Sequence, residues 1–145
     1  MVAKKTSGSY MDDTNQVIVE PERLDDETEA AIDVLVGRWE IVETEVWTKD
    51  ALDLEETAYF TIGDREAYRA YGHWRMIAME ADLDFLITLI RGIPHFEFSW
   101  FGSTTPRKRG NGRGWGILKS RDRIEGRIFI HRGDDSSFVA VRAKG

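Results

Sequence analysis

The chain has 145 residues and contains no cysteine, which excludes disulfide bonds, a thiol nucleophile and zinc–thiolate coordination. This length fits one domain with a substantial core, and the longest apolar run, residues 85–90, is far too short for a membrane span of about 20 residues. The N-terminal residues lack the apolar segment of a signal peptide, so we expect a soluble cytoplasmic protein.

The formal net charge of −6 is divided unevenly along the chain. Residues 1–36 carry −6, residues 37–106 carry −7 and residues 107–145 carry +7. Such asymmetry either marks an interaction surface or lets acidic and basic segments neutralise each other within one fold. The sequence leaves both interpretations open.

The first part of the chain predicts a flexible arm followed by one helix. Residues 1–22 are polar and are expected to be flexible, apart from a short strand at 17–19, and residues 23–145 form the single domain. From Asp25 the apolar residues recur at helical spacing, Asp26 and Glu29 resemble a capping box, and Gly37 follows as a stop signal. One face of this helix is expected to dock on the rest of the domain.

After Gly37 the apolar spacing becomes alternating, which indicates strands. Strands are predicted at residues 37–49, 57–63, 66–72, 73–83, 93–102, 114–119, 123–131 and 136–142. Residues 84–92 fit a strand or a buried helix, with a strand favoured, and residues 103–114 are predicted to form a loop. We therefore predict an all-β fold, an antiparallel meander of seven to nine strands that closes into a small barrel after one N-terminal helix, with a sandwich as the alternative.

Five segments of the sequence resemble known families. Gly37, Arg38 and Trp39, at the start of the first long strand, resemble the G-x-W motif of the lipocalin-like (calycin) barrels. Residues 43–47, 97–102, 112–115 and 126–138 resemble a family of small bacterial proteins with no assigned function. This resemblance covers about residues 37–142 and implies a lipocalin-like barrel but no reaction. It also implies a basic residue at the end of the barrel, for which Arg142 and Arg132 are the candidates.

Aromatic and acidic residues alternate within several predicted strands, which favours a ligand cavity inside the barrel. Carboxylates on an inward face would be desolvated and their pKa values raised, whereas on an outward face they would meet water, as most glutamates do. The first hypothesis is that an apolar or aromatic small molecule binds inside the barrel and that no cofactor is needed. The side chains predicted to contact the ligand are Trp39, Glu43, Glu45, Trp47, Glu97, Trp100 and Asp134, with His131 near the mouth.

An acid–base enzyme on the same barrel is the second hypothesis. His131 ends a predicted strand beside Asp134 and Asp135, and Glu43 or Glu97 would complete a catalytic pair. The alternative is that the two aspartates only form the turn. His73 and His95 have no ligand spacing with His131, so no metal site is predicted.

An interaction module is the third hypothesis. Its contacts would come from the acidic residues 12–33 or from the basic residues Arg107, Lys108, Arg109 and Arg113, with Trp100 and Trp115 stacking on bases if the partner were nucleic acid. The acidic net charge argues against nucleic acid, and no membrane contact is expected. Because large apolar groups occur on both faces of several strands, the outer face meets either the helix or another subunit of a homodimer.

Overall fold

The computed structural model describes residues 9–11, 17–19, 24–105 and 107–144. The predicted flexible arm lies mostly outside these residues, and its flexibility stays a prediction. Within it, β1 (Ser9–Met11) and β2 (Val17–Val19) pair antiparallel with each other. The short strand expected at 17–19 is therefore present, with β1 as its neighbour.

Helix α1 (Asp26–Asp33) has its N-cap one residue earlier than the predicted capping box. Its N-cap is Asp25, whose carboxylate accepts a hydrogen bond of 2.7 Å from the backbone N–H of Thr28. This hydrogen bond holds the pKa of Asp25 below its ordinary value. The helix therefore starts from a cap with a charged acceptor.

Helix α1 is attached to the barrel by an apolar face and by one arginine. Ile32 in the helix and Leu35 just after it are fully buried, as the helical spacing predicts. The guanidinium of Arg65 binds Glu29 and also donates from Nε to Asp33 Oδ1 at 2.8 Å. The helix is thus held from both its apolar and its acidic side.

Eight strands form a closed antiparallel barrel, which confirms the predicted all-β meander. In chain order they are β3 (Gly37–Thr44), β4 (Tyr59–Glu66), β5 (Arg69–Met76), β6 (Met79–Ile90), β7 (Ile93–Thr105), β8 (Lys108–Ser120), β9 (Arg123–Ile130) and β10 (Asp135–Arg142). Each strand pairs with the next, and β10 pairs with β3 to close the barrel. A short helix, α2 (Lys49–Leu52), connects β3 to β4. In the part of the chain described here, no helix has the length and apolar character needed to cross a membrane.

Two hairpins differ from the sequence prediction. Strand β4 continues through Gly63 and Asp64 with a register irregularity and turns at residues 67–68 instead. Residues 73–83 are not one strand, because a turn at 77–78 separates β5 from β6. Residues 84–90 belong to β6, so the strand favoured for this ambiguous run is confirmed.

The predicted loop at residues 103–114 is largely strand, because its glycines lie opposite large rings. A Cβ atom at Gly114 would lie 2.2 Å from the Phe98 ring, and one at Gly116 would lie 2.3 Å from the Phe96 ring. The glycines of β8 therefore provide the space that aromatic rings of β7 occupy. The directly paired positions are Phe96 and Gly116, Phe98 and Gly114, and Trp100 and Gly112.

The interior of the barrel is a packed aromatic core. Its remaining void is about 10 Å³ and is lined only by apolar and aromatic side chains, among them Phe60, Trp74, Phe85 and Phe98. This is about the space that one water molecule needs, whereas ligand pockets usually measure about 300–1,000 Å³. The indole N–H of Trp74 is buried and has no hydrogen-bond partner among the described residues.

One end of the barrel is closed by Trp39 and Arg142. Trp39 is fully buried and its indole N–H donates to the carbonyl of Leu35 at 2.9 Å. The Arg142 guanidinium carbon lies 4.3 Å from the centroid of a Trp39 ring, and Nη2 donates to the carbonyls of Val34 at 2.5 Å and Arg121 at 2.8 Å. Of the two candidate basic residues, Arg142 is therefore the one that packs on the tryptophan of the G-x-W motif.

Candidate functional site

Glu43 does not face the barrel interior, and the prediction that it does is wrong. Glu43 is exposed and pairs with Val139, whereas the next pair along the strands, Ile41 with Ala140, is buried. Val42 is the extra residue of a β-bulge between these two pairs. Because the bulge reverses the alternation of faces, Glu43 turns outward although Ile41 points inward.

Glu45 and Trp47 lie beyond the end of β3. The Thr44 hydroxyl accepts a hydrogen bond of 2.9 Å from the N–H of Trp47 and donates to its carbonyl at 2.6 Å, so the chain turns where the sequence predicted a continuous strand. Trp47 is half-buried and packs against the core. Glu45 is exposed, and its Oε1 lies 2.7 Å from Nη2 of Arg127. The prediction that Glu45 lines the interior is therefore also wrong.

Glu97 and Trp100 lie on opposite faces of β7. Trp100 is buried and donates from its indole N–H to the carbonyl of Phe129 at 3.0 Å. Glu97 is exposed and pairs with Leu86 and Trp115, which are also exposed. Since alternate residues of a strand point to opposite faces, a ligand inside the barrel cannot contact both. Trp100 is likewise not available to stack on bases.

His131 is exposed in the turn between β9 and β10 and is not paired with an acid. Within the residues that the structure describes, the histidine ion pairs of up to 4.0 Å are those of His73, so none joins His131 to a carboxylate. Glu97 on β7 pairs with Trp115 on β8, which in turn pairs with Arg127 on β9. Arg127 precedes His131 by four residues, which is about 13 Å along the strand. The two members of the proposed acid–base pair are therefore not brought together.

The aspartates near His131 organise the turn and its ion pairs. The carbonyl of Asp134 accepts from the N–H of Ile130 at 3.0 Å. The Asp135 carboxylate lies 2.7 Å from Nη2 of Arg127, which also binds Glu45. These contacts support the interpretation of the aspartates as turn residues, and a ligand contact of Asp134 stays a prediction.

The remaining histidines do not form a metal centre. His73 lies between Glu80 and Asp82, with nitrogen–oxygen distances of 3.4 and 3.7 Å. Within residues 9–11, 17–19, 24–105 and 107–144, no group of three or more acidic or histidine side chains could hold a metal ion. The structure thus offers no metal site in the described part of the chain.

The four basic residues of the interaction hypothesis lie on or beside β8, at the tip and along the outer face. Arg109 and Arg113 alternate with Asn111 and Trp115 outward from the barrel, at intervals of about 6.7 Å along the strand. Among the described residues, none of these cations forms an ion pair. Lys108 starts the strand, and Arg107 lies in the turn before it.

Exposed aromatic rings lie beside these cations. Trp115 is 41% exposed and Phe101 is 56% exposed. The guanidinium of Arg113 lies 5.1 Å from the centroid of the Phe129 ring, and that of Arg109 lies 5.6 Å from Phe101. The glycines of β8 mark its inner face, so the sequence could have placed Trp115 outside by simple alternation.

Two of the grooves on this outer face lie beside the basic residues and the exposed rings. The first, here called the outer groove, measures about 500 Å³ and is lined by Arg69, Asp84, Leu86, Glu97, Phe98, Ser99, Arg113, Gly114, Trp115 and Phe129. The second, here called the basic groove, measures about 490 Å³ and lies over the neighbouring residues of the same strands. It has Arg107, Lys108 and Arg109 on one side and His73, Glu80 and Asp82 on the other.

Comparison with protein-family models, with curated proteins and with solved structures found no match to this chain. The protein is therefore classified by its architecture, an eight-stranded antiparallel β-barrel with an N-terminal helix and a buried aromatic core. Its candidate site is the outer face of β5 to β9, where the grooves, the free cations and the exposed rings occur together.

Proposed function

We propose that the protein is a lipocalin-like binding protein whose ligand is a small aromatic anion held in the outer groove. The packing of Arg142 on Trp39, in the position that the resemblance implies, supports the relation to lipocalin-like barrels. A cytoplasmic location and membership in the family of small bacterial proteins belong to the same proposal. The enzyme hypothesis gains no support, because His131 and the glutamates are apart.

The contrast between the two available spaces carries the proposal. The interior void is about 10 Å³, whereas the outer groove is about 500 Å³, within the usual range for ligand pockets of about 300–1,000 Å³. A ligand inside the barrel would have to displace close-packed rings. Overpacking of a protein core usually costs about 1–3 kcal/mol for each disturbed site, so the displacement of several rings would cost several kcal/mol. The outer groove requires no such rearrangement.

The walls of the outer groove suggest what the ligand carries. Trp115 and Phe129 offer ring faces, and Leu86 adds an exposed apolar side chain. Arg113 forms no ion pair within the described residues, and Arg69 is held only by Asp84 at 3.4 Å. A planar ring between the aromatic side chains, with a carboxylate, sulfonate or phosphate on Arg113, satisfies both features.

Titration with anilinonaphthalene sulfonate, a fluorescent aromatic anion, tests the proposal. We expect saturable binding to the folded protein, weakened at least tenfold in both Trp115→Ala and Arg113→Ala, which corresponds to about 1.4 kcal/mol each. Lys119→Ala is the matched control, because it removes a cation from the same strand outside the groove.

Circular dichroism and urea unfolding must show that all three variants remain folded, because this dye also binds partly unfolded proteins. Equal affinity in the wild type, Trp115→Ala and Arg113→Ala would contradict the outer groove as the site. An equal loss of affinity in Lys119→Ala would show that the loss in Arg113→Ala comes from the change in net charge and not from a contact in the outer groove.

A further inference from the structure

We infer that the aromatic anion held in the outer groove is one nucleotide of a single strand of nucleic acid, which runs along β8 from Trp115 to the basic hairpin tip. This inference rests on the proposed function, because it uses the outer groove as its first subsite. It adds the basic groove and thereby names a polymer with repeating rings and phosphates as the partner.

The order of the outward side chains on β8 matches the repeat of such a polymer. From one end to the other the face presents the indole of Trp115, the guanidinium of Arg113, the amide of Asn111 and the guanidinium of Arg109. Successive members lie about 6.7 Å apart, since two residues of an extended strand span that distance. This spacing is comparable to that between neighbouring phosphates of an extended strand of nucleic acid.

Aromatic rings flank this line of cations on both neighbouring strands. Phe129 on β9 pairs with Arg113, and Phe101 on β7 pairs with Asn111. Base stacking on such rings tolerates any sequence, because every base has a π-face. Arg113 already lies over Phe129 and Arg109 over Phe101, so the guanidinium groups are positioned beside the stacking surfaces.

The two grooves are consecutive parts of one trough. On β7 the outer groove contains Ser99 and the basic groove contains Phe101, the next outward residue. On β8 the outer groove contains Arg113 and the basic groove contains Arg109, with the exposed Asn111 between them. From Trp115 to Arg107 the chain extends eight residues, about 27 Å when fully extended. A segment of about four nucleotides fills this length, which is at the low end of known single-strand site sizes of about 4–16 nucleotides.

Local charge separates this face from the acidic protein around it. Arg107, Lys108, Arg109 and Arg113 are all exposed and form no ion pair among the described residues. The acidic side of the basic groove, Glu80 and Asp82, faces them across β7. Asp84 and Glu97 likewise line the outer groove. Repulsion from these four carboxylates, which lie on β6 and β7, would keep the phosphates on β8.

Fluorescence anisotropy with labelled oligo(dT) and oligo(U) twelve-mers, at low and rising salt, tests the inference. We expect both to bind with little preference for the sugar, and a slope of log affinity against log salt of about −2.8, because each of four phosphate contacts contributes about −0.7. The double variant Arg109→Ala/Arg113→Ala should halve this slope to about −1.4 and weaken binding at low salt at least tenfold. Phe101→Ala should weaken binding about tenfold with an unchanged slope.

The controls distinguish this inference from the proposed function. Lys119→Ala removes the same charge from β8 outside the trough and should leave both affinity and slope unchanged. No binding of either twelve-mer at low salt, together with intact binding of anilinonaphthalene sulfonate, would overturn the inference and leave the proposed function standing. Loss of the oligonucleotide and of the dye in the same Trp115→Ala protein supports both.

A second copy of the chain is the alternative occupant of this face. Sedimentation of the wild type at rising concentration should show a monomer, with Phe101 and Trp115 accessible. A dimer that dissociates in Phe101→Ala and excludes the oligonucleotide would overturn the inference.

Discussion

The hairpin formed by β7 and β8 has aromatic side chains on both of its faces, which are buried on the inner face and exposed on the outer face. On the inner face Phe96, Phe98 and Trp100 are at most 7% exposed and lie opposite glycines. On the outer face Phe101 and Trp115 are 56% and 41% exposed and have arginines as neighbours. The face of the strand on which a ring lies therefore decides whether the ring packs in the core or stays available for contact.

The largest expected effect is the difference between Phe98→Ala and Phe101→Ala. Truncation of a buried phenylalanine usually costs about 3–5 kcal/mol, because a cavity remains, whereas an exposed ring costs within about 0.5 kcal/mol. Urea unfolding of both variants measures the contrast. Similar losses of stability in the two proteins would mean that Phe101 is buried in solution, which would contradict the difference between the two faces of the hairpin.

The pairing of glycine with a ring is tested by Gly116→Ala and Phe96→Leu. All three of the nearest atoms to an added Cβ at Gly116 belong to the Phe96 ring, at 2.3 to 2.9 Å. We expect Gly116→Ala to cost about 1–3 kcal/mol, and the double variant to be more stable than the sum of the single changes predicts, by at least about 1 kcal/mol. Gly63→Ala is the control, since its Cβ would meet no atom closer than 3.9 Å.

Strict additivity in this cycle would show that the clash at Gly116 involves the backbone and not the ring. The explanation of the glycines of β8 as space for β7 would then fail at this position.

The end of the barrel is tested by Arg142→Lys, which keeps the charge. A lysine loses the planar fork that reaches the carbonyls of Val34 and Arg121 and the stacking on Trp39. We expect a loss of about 1–2 kcal/mol in chemical unfolding from these terms. Arg132→Lys, at the other candidate position, should leave the free energy of unfolding unchanged. Equal losses in the two variants would contradict the stabilising role of the Arg142 contacts.

The smallest effect concerns charge on the outer surface, at Asp53 after α2. Burial alone would raise the pKa of Asp53, but hydrogen bonds from Lys49 and from the N–H of Ala58, each of 2.8 Å, outweigh it and hold the pKa below its ordinary value. A carboxyl with a lowered pKa stabilises the fold above the ordinary value, about pH 4, and this stabilisation is lost as the pH falls through the folded pKa.

We therefore expect Asp53→Asn to cost less than about 1 kcal/mol at neutral pH, and the difference from the wild type to shrink as the pH falls below the ordinary value of about 4. Urea unfolding across this range measures it. Asp50→Asn, which removes a carboxylate that makes no hydrogen bond within the described residues, is the matched control at neutral pH. A difference for Asp53→Asn that persists in acid would assign its effect to packing.

The sequence predicted the barrel because alternation and turn spacing are local properties of each strand. The strands around Phe96, Phe98 and Trp100 follow this pattern, and the closed meander is the simplest way to bury one face of each. The predicted loop at residues 103–114 failed because glycine is typical of turns, and only the paired ring on β7 shows why it occurs in a strand.

The site was harder to predict than the fold, because one bulge and one turn change the face of a side chain. Trp39, Ile41, Glu43 and Glu45 are spaced two residues apart, which predicts a shared face. The extra residue Val42 and the turn at Thr44 nevertheless place both glutamates on the outside. A pattern of period two cannot register a single inserted residue. The grooves depend on four or five strands at once, which no single segment specifies.

The pairing of β10 with β3 has a consequence for how the chain folds. It joins residues near position 40 to residues near position 140, so it is the longest connection in the sequence, whereas every other barrel pair is a hairpin or close to one. Contacts of such separation are slow to form, and we expect this seam to form last. Once it has formed, every barrel strand has two neighbours, and hydrogen exchange from the barrel should require its cooperative opening, since the barrel has no edge strand to fray.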